Sequence, residues 1–140
     1  MKDADFDKEK KASVPVGDLK ADELDGIFMA GGHGCCWDFV NEPAKPLVNL
    51  VETMWTQGKP VGAVCHGVLG LFDAKDAEGN PLVKGKKVTG FSNTEEAAVG
   101  LTEVVPFLVE SKYKELGTFF LFFCQFVAFV FLSKPPPPRL

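Results

Sequence analysis

The sequence predicts an α/β fold, a parallel sheet with helices on both faces, and three observations carry that prediction. Short apolar runs end in glycine or turn residues, a strongly amphipathic segment lies between the first two runs, and strand-like and helix-like patterns alternate between residues 26 and 117. In sheets of this kind ligands bind beyond the carboxyl ends of the strands, so the residues just after each strand are where function is sought.

Gly26-Ile27-Phe28-Met29-Ala30 reads as a buried strand emptying into the loop Gly31-Gly32-His33-Gly34. Leu47, Leu50, Val51, Met54 and Trp55 then follow the spacing of one helical face. Asn41 is the expected N-cap of this helix, Pro43 falls in its first turn, and Gly58 lies where a C-terminal cap belongs. Pro60 to Val64 is a second apolar run, broken by Cys65-His66-Gly67 before a short helical segment from Val68 to Phe72. A hairpin-like connection from Asp76 to Gly85, with turn residues at Glu78-Gly79-Asn80-Pro81, leads to a third strand at Lys87 to Phe91. Glu95 to Val99 reads as helix. So does Thr102 to Leu116, with Thr102 as N-cap and Val105, Leu108, Val109 and Leu116 on one face.

Composition bounds the function. The 140 residues hold 15 Lys and Arg against 19 Asp and Glu, a net charge of -4, and 46% hydrophobic residues, which suits one globular domain. Without clustered positive charge there is no electrostatic basis for binding nucleic acid. The four cysteines, Cys35, Cys36, Cys65 and Cys124, follow a Lys- and Asp-rich start rather than a secretory signal, so a reducing, cytoplasmic setting is expected instead of a disulfide framework. Charge is unevenly spread: 13 of the charged residues fall within the first 25, while Thr118 to Ser133 has none and carries seven of the 13 phenylalanines. Three segments follow: a polar lead-in over 1–25, a patterned domain over 26–117, and an apolar, then proline-rich tail over 118–140.

The three strand ends collect the reactive residues on one rim: Gly31-Gly32-His33-Gly34, then Cys65-His66-Gly67, then Ser92-Asn93-Thr94-Glu95-Glu96. A cysteine on a sharp strand-to-helix turn has the form of a nucleophile elbow, where helix N–H groups favour a thiolate and lower its pKa. The N–H of His66 and one from the Gly31-Gly32-His33 loop could then receive an oxyanion. The plainer reading, that Cys65 is a small buried hydrophobe, stays open beside it. His33, Cys35 and Cys36 lie close in sequence, but no second Cys or His pair completes four ligands, so no metal is expected. The glycine loop lacks both the Lys-Ser/Thr of a P-loop and the third glycine of a dinucleotide fingerprint. A glutamine amidotransferase would need a late His-x-Glu pair, and both histidines precede residue 67.

Taken together, Ala63-Val64-Cys65-His66-Gly67, the preceding Gly31-Gly32-His33-Gly34 and Trp37-Asp38, and the following Lys84 to Asn93 and Glu95-Glu96 resemble the DJ-1/PfpI superfamily, in particular its Hsp31-like branch. Members are described as glutathione-independent glyoxalases (glyoxalase III, D-lactate dehydratase), protein deglycases and holding chaperones. The resemblance implies a flavodoxin-like parallel sheet sandwiched by helices. It also implies a triad of Cys65, His66 and Glu96, with Glu95 as the adjacent competitor. It further implies conversion of a small 2-oxoaldehyde, methylglyoxal, to D-lactate with no cofactor, often in a homodimer.

The chain also departs from the family. The family's first strand, helix and next strand, with a glutamate that contacts the nucleophile, have no counterpart here, because Asp3, Asp5, Asp7 and Glu9 belong to a solvated charge run. Losing such a proton carrier typically removes a factor on the order of 100 to 10,000 in rate. After Gly117 the family pattern stops, so an incomplete copy of the fold, shortened at both ends, is expected, with impaired activity. The alternative role is non-catalytic: redox sensing or chaperone-like binding. The 16 uncharged residues of Thr118 to Ser133 fall short of the roughly 20 needed to span a bilayer, so a buried or aggregation-prone segment is favoured over membrane association.

Overall fold

The computed structural model describes residues 4–121 and 129–132. The charged lead-in forms a helix, α1 (Ala4–Lys11), with Asp5 and Asp7 in its first turn and lysines in its last, the arrangement that suits the helix dipole. Two 3-10 turns, Val16–Asp18 and Ala21–Glu23, bring the chain to β1 (Ile27–Met29). Then follow a one-turn helix α2 (Cys35–Asp38), the long helix α3 (Asn41–Thr56) and β2 (Val61–Val64). Beyond β2 the segment Cys65–Leu71 winds as a 3-10 helix. β3 (Lys87–Val88), α4 (Asn93–Ala98), α5 (Val109–Glu115), β4 (Phe119–Phe120) and β5 (Phe129–Leu132) complete the order.

The α/β class is the one observed. β1 and β2 pair in parallel with Ile27 opposite Val61 and Met29 opposite Ala63, and β3 and β4 form a second parallel pair. The third strand is shorter than expected, and among the described residues it pairs with β4 rather than with β2. Its pairing stops at Val88 because the chain there turns inward: a Cβ on Gly90 would lie 2.8 Å from Cγ2 of Val68, so residue 90 passes close over the segment that follows Cys65. The other edge of β2 carries β5, antiparallel, with Gly62 opposite Phe131. Part of the apolar tail is thus a sheet strand, and the remaining residues assigned to it, 122–128 and 133–140, Cys124 among them, lie outside the described residues. No helix among the described residues is long and apolar enough to cross a membrane.

α3 matches its predicted face, with Leu47, Leu50, Val51 and Met54 buried and Trp55 packed at the margin. Each such side chain contributes about 1.5–3 kcal/mol by leaving water. Its C-terminus is closed by Gly58 at φ 73, whose N–H donates to the Trp55 carbonyl at 2.9 Å. The N-terminus differs from expectation. Asn41 makes no side-chain cap; it takes φ 57, and its backbone N–H donates to Oδ2 of Asp73 at 2.8 Å. The helix expected over 102–116 is only Val109–Glu115, entered from Leu108. Pro106 explains the difference, since it has no N–H to donate and disfavours helical backbone at Val105. The predicted face survives: Val105 and Val109 are buried, with Leu108 and Leu116 packed against the core.

Candidate active site

β2 delivers its last residue, Val64, into a sharp turn in which Cys65 adopts φ 56. A side chain in this left-handed region costs on the order of 1–3 kcal/mol and persists only where its surroundings enforce it. Here the surroundings do. A Cβ on Gly67 would collide with the Met29 and Ala30 carbonyls, so only glycine lets the turn sit on β1. A Cβ on Gly31 would lie 2.7 Å from Cβ of Cys65 and 2.9 Å from the Val64 carbonyl oxygen. From the far side Tyr113 of α5, almost wholly buried, donates its hydroxyl to the Val68 carbonyl at 2.5 Å. Burial, with the Asp73 charge adding to it, pushes the Tyr113 phenol far above the ordinary tyrosine value, so it stays protonated.

Three side chains follow from Cys65 in a line. Its Sγ lies 3.4 Å from Nδ1 of His66, Nε2 of His66 lies 2.9 Å from Oε2 of Glu96, and Oε1 of Glu96 lies 3.0 Å from Nε2 of His33. His66 has no solvent exposure and Glu96 only 2%, whereas the side chain of His33 is 35% exposed. The rings of His33 and His66 stand 4.2 Å apart at their centroids, and Phe91 packs 4.5 Å from His66, sealing the contact. Phe91 was legible only as a strand residue; its place over the histidines comes from the inward turn at Gly90.

Glu95 and Glu96, adjacent in sequence, face different partners. Ser92 caps α4, accepting from the Glu95 N–H at 3.2 Å, and the Glu95 carboxylate accepts from the Ser92 N–H at 2.8 Å. This reciprocal capping box leaves Glu96, one residue on, directed into the core at the histidines. The signal was present in Ser92-Asn93-Thr94-Glu95, a capping-box spacing.

The electrostatics correct one expectation. Burial pushes the Cys65 thiol up rather than down, with the Glu95 and Glu96 charges adding to it; the backbone N–H groups of His66 and Gly32 pull the other way without prevailing. The helical segment after Cys65 is a buried 3-10 turn, so its dipole does not overcome desolvation. Burial holds His66 below the ordinary histidine value; its Glu96 hydrogen bond raises it and the neighbouring His33 lowers it again. Cys36 is pushed up to about 11 by burial, with the Glu96 charge assisting, and Cys35 is also raised by burial.

The chemistry that follows is base-assisted. An ionised carboxylate only accepts, so Nε2 of His66 carries the hydrogen toward Glu96 and Nδ1 offers its lone pair to the thiol. The thiol proton has an acceptor in place, and the N–H groups of His66 and Gly32 converge beside the sulfur. Of the loop residues, Gly31 packs on Cys65, Gly32 aims its N–H at it, His33 sends its ring to Glu96, and Gly34 starts α2. Cys35 and Cys36 are buried, with Cys35 Sγ donating to the Ala30 carbonyl at 3.7 Å. Among the described residues the grouping that brings potential ligand atoms within 4.8 Å is His33, His66 and Glu96, whose side chains make the hydrogen bonds above.

Comparison with known proteins places this geometry in context. The model of the DJ-1/PfpI family matches residues 4–105. Glyoxalase 3 of Candida albicans is 39% identical over 97 residues, which cover 69% of this chain and 39% of that protein. The glutathione-independent glyoxalase HSP31 of Saccharomyces cerevisiae is 33% identical over 120 residues, 84% of this chain and 46% of its own. The chain therefore spans about half the length, or less, of these curated relatives. Among solved structures, the Rapid Encystment Protein 24 kDa of Francisella tularensis aligns with a TM-score of 0.81 at 38% identity, over 88% of this chain and 54% of that one. Glyoxalase III from Candida albicans aligns with a TM-score of 0.72 at 30% identity, over 79% of this chain and 47% of its own.

Proposed function

This chain belongs to the DJ-1/PfpI family, and from that premise we propose that it is a glutathione-independent glyoxalase acting on a small 2-oxoaldehyde such as methylglyoxal through Cys65. The observation that carries the reading is the unbroken contact from the Cys65 sulfur through His66 to buried Glu96. Relatives named as glyoxalases at 39% and 33% identity support it.

The steps use this chain's own groups. Nδ1 of His66 takes the thiol proton as sulfur attacks the aldehyde carbon, and the new oxyanion forms beside the N–H groups of His66 and Gly32. Return of that proton to the oxyanion gives a neutral hemithioacetal and restores the imidazole base. His66 then removes the former aldehyde hydrogen, and an enediol-like species collapses as a proton reaches the neighbouring carbon, leaving a thioester of the 2-hydroxy acid. Water cleaves the thioester, freeing lactate and the thiol. One carbon is oxidised as its neighbour is reduced, so the net change is addition of water, with no external electron acceptor. Glu96 stabilises the imidazolium in each proton transfer.

A redox-sensing role needs an accessible thiolate, and the burial that raises Cys65 works against it. Cys35, Cys36 and Cys65 are all free, which suits a reducing compartment such as the cytoplasm. The test is lactate formation from methylglyoxal without glutathione, comparing the chain with Cys65→Ala. Turnover that disappears in the variant supports the proposal, and equal rates in both sink it.

A further inference from the structure

The geometry points to His33 as a positioning residue of this site, one that holds Oε1 of Glu96 so that Oε2 stays on His66 and that keeps His66 in its neutral, proton-accepting form. The inference rests on reading Cys65 and His66 as the reactive pair, and it gives the glycine loop a second purpose beyond supplying backbone N–H groups.

Two imidazoles compete for one carboxylate. Both present Nε2 to Glu96, at 3.0 Å from His33 and 2.9 Å from His66, one to each oxygen. A carboxylate held at only one oxygen can rotate about its last bond, whereas one held at both has its plane fixed. That fixed plane directs Oε2 at His66 and hence Nδ1 at the Cys65 sulfur. The two histidines differ in access: His66 has no exposure, and the His33 side chain is 35% exposed. A positive charge is much less costly on the solvent-facing ring than on the enclosed one. With His33 able to neutralise Glu96 from the outside, His66 need not become cationic to satisfy the buried acid.

The other ionisable groups around the pair do not take over this task. From α4 come Glu96 and Glu95; from the turn after β2 comes Cys65; from α2 come Cys35, Cys36 and Asp38, whose carboxylate lies beside Gly34. All are acids, so among the described residues around the pair His33 is the basic group besides His66 itself. Its influence on His66 acts downward, against the upward pull of both glutamates.

The experiment uses the whole chain as wild type, His33→Gln and His33→Leu. Two readouts are followed across pH: ring NMR signals of His66 in histidine-labelled protein, and alkylation of Cys65 by iodoacetamide read by mass spectrometry of its peptide. In both variants the His66 midpoint should rise relative to wild type, because the His33 charge that lowers it is gone. Glutamine can still donate to Oε1, so its alkylation rate at neutral pH should stay within about threefold of wild type, while leucine should lower it on the order of tenfold. An unshifted His66 midpoint in the glutamine variant overturns the proposal, even if the leucine variant fails to fold. Neither readout needs methylglyoxal, so a chain that forms no lactate yet shows these shifts separates this inference from the proposed activity.

Discussion

Glu96 holds His66 inside the protein: a carboxylate with 2% exposure accepts from the Nε2–H of an imidazole with none, at 2.9 Å. Removing the charge while keeping the shape, Glu96→Gln, deletes the interaction that raises His66 against its burial. His66 should become a weaker base, and lactate formation should fall on the order of 100-fold. Glu96→Ala should in addition destabilise the chain by about 1–3 kcal/mol, because a buried N–H loses its acceptor. Steady-state rates and urea melts of the two variants check both halves.

Glu95→Ala should behave oppositely. Its carboxylate closes the capping box on Ser92, so the expected loss is about 1 kcal/mol of stability, with turnover retained within a few-fold. A collapse of activity with unchanged thermal stability would reverse the division of labour between the two adjacent glutamates.

That division shows how much of the site could be read in advance. The β2–Cys65–His66–Gly67 turn, the glycine loop facing it and the buried face of α3 are local patterns, and local patterns survive in a single sequence. The choice between Glu95 and Glu96 was also written locally, as a Ser92-x-x-Glu95 cap, but reads as such only once the helix start is known. Pro106 likewise marked the late start of α5. The His33 ring on Glu96, the closure of Phe91 over both histidines and the pairing of Phe129–Leu132 with β2 are different in kind. They join residues far apart in the chain, and no period or spacing within one segment encodes them.

Gly31→Ala tests whether the loop must lie against the nucleophile. The added methyl would meet Cβ of Cys65 at 2.7 Å and the Val64 carbonyl at 2.9 Å, and both belong to the turn itself. Relief requires the loop and turn to separate, which should cost about 1–3 kcal/mol and slow Cys65 alkylation as the Gly32 N–H draws away. Full alkylation rates in a variant of unchanged stability would show that the two segments are free to move apart.

Acid should destabilise the fold through His66. Its folded pKa lies below the ordinary 6.5, so on acidification the unfolded chain takes up its proton first. Stability is therefore constant with respect to this group above about 6.5 and declines as pH falls from there toward the lower folded value, where both states are protonated. His66→Asn should remove this contribution, at the cost of a lower melting temperature throughout. The measurement is thermal unfolding of both proteins between pH 8 and pH 5; parallel curves would mean that His66 is not the group responsible.

Tyr113→Phe probes the support behind the turn. The phenol reaches across from α5 to the Val68 carbonyl, three residues beyond Cys65, within the 3-10 segment that follows the nucleophile. Phenylalanine keeps the packing against Phe72 and Phe120 and removes only the donor. The expected destabilisation is about 0.5–1.5 kcal/mol, the loss of one buried hydrogen bond. Because the strained Cys65 backbone is enforced from this side, hydrogen exchange at residues 65–71 should accelerate more than exchange in α3. Uniform acceleration across the chain would assign Tyr113 to general packing instead of to the turn.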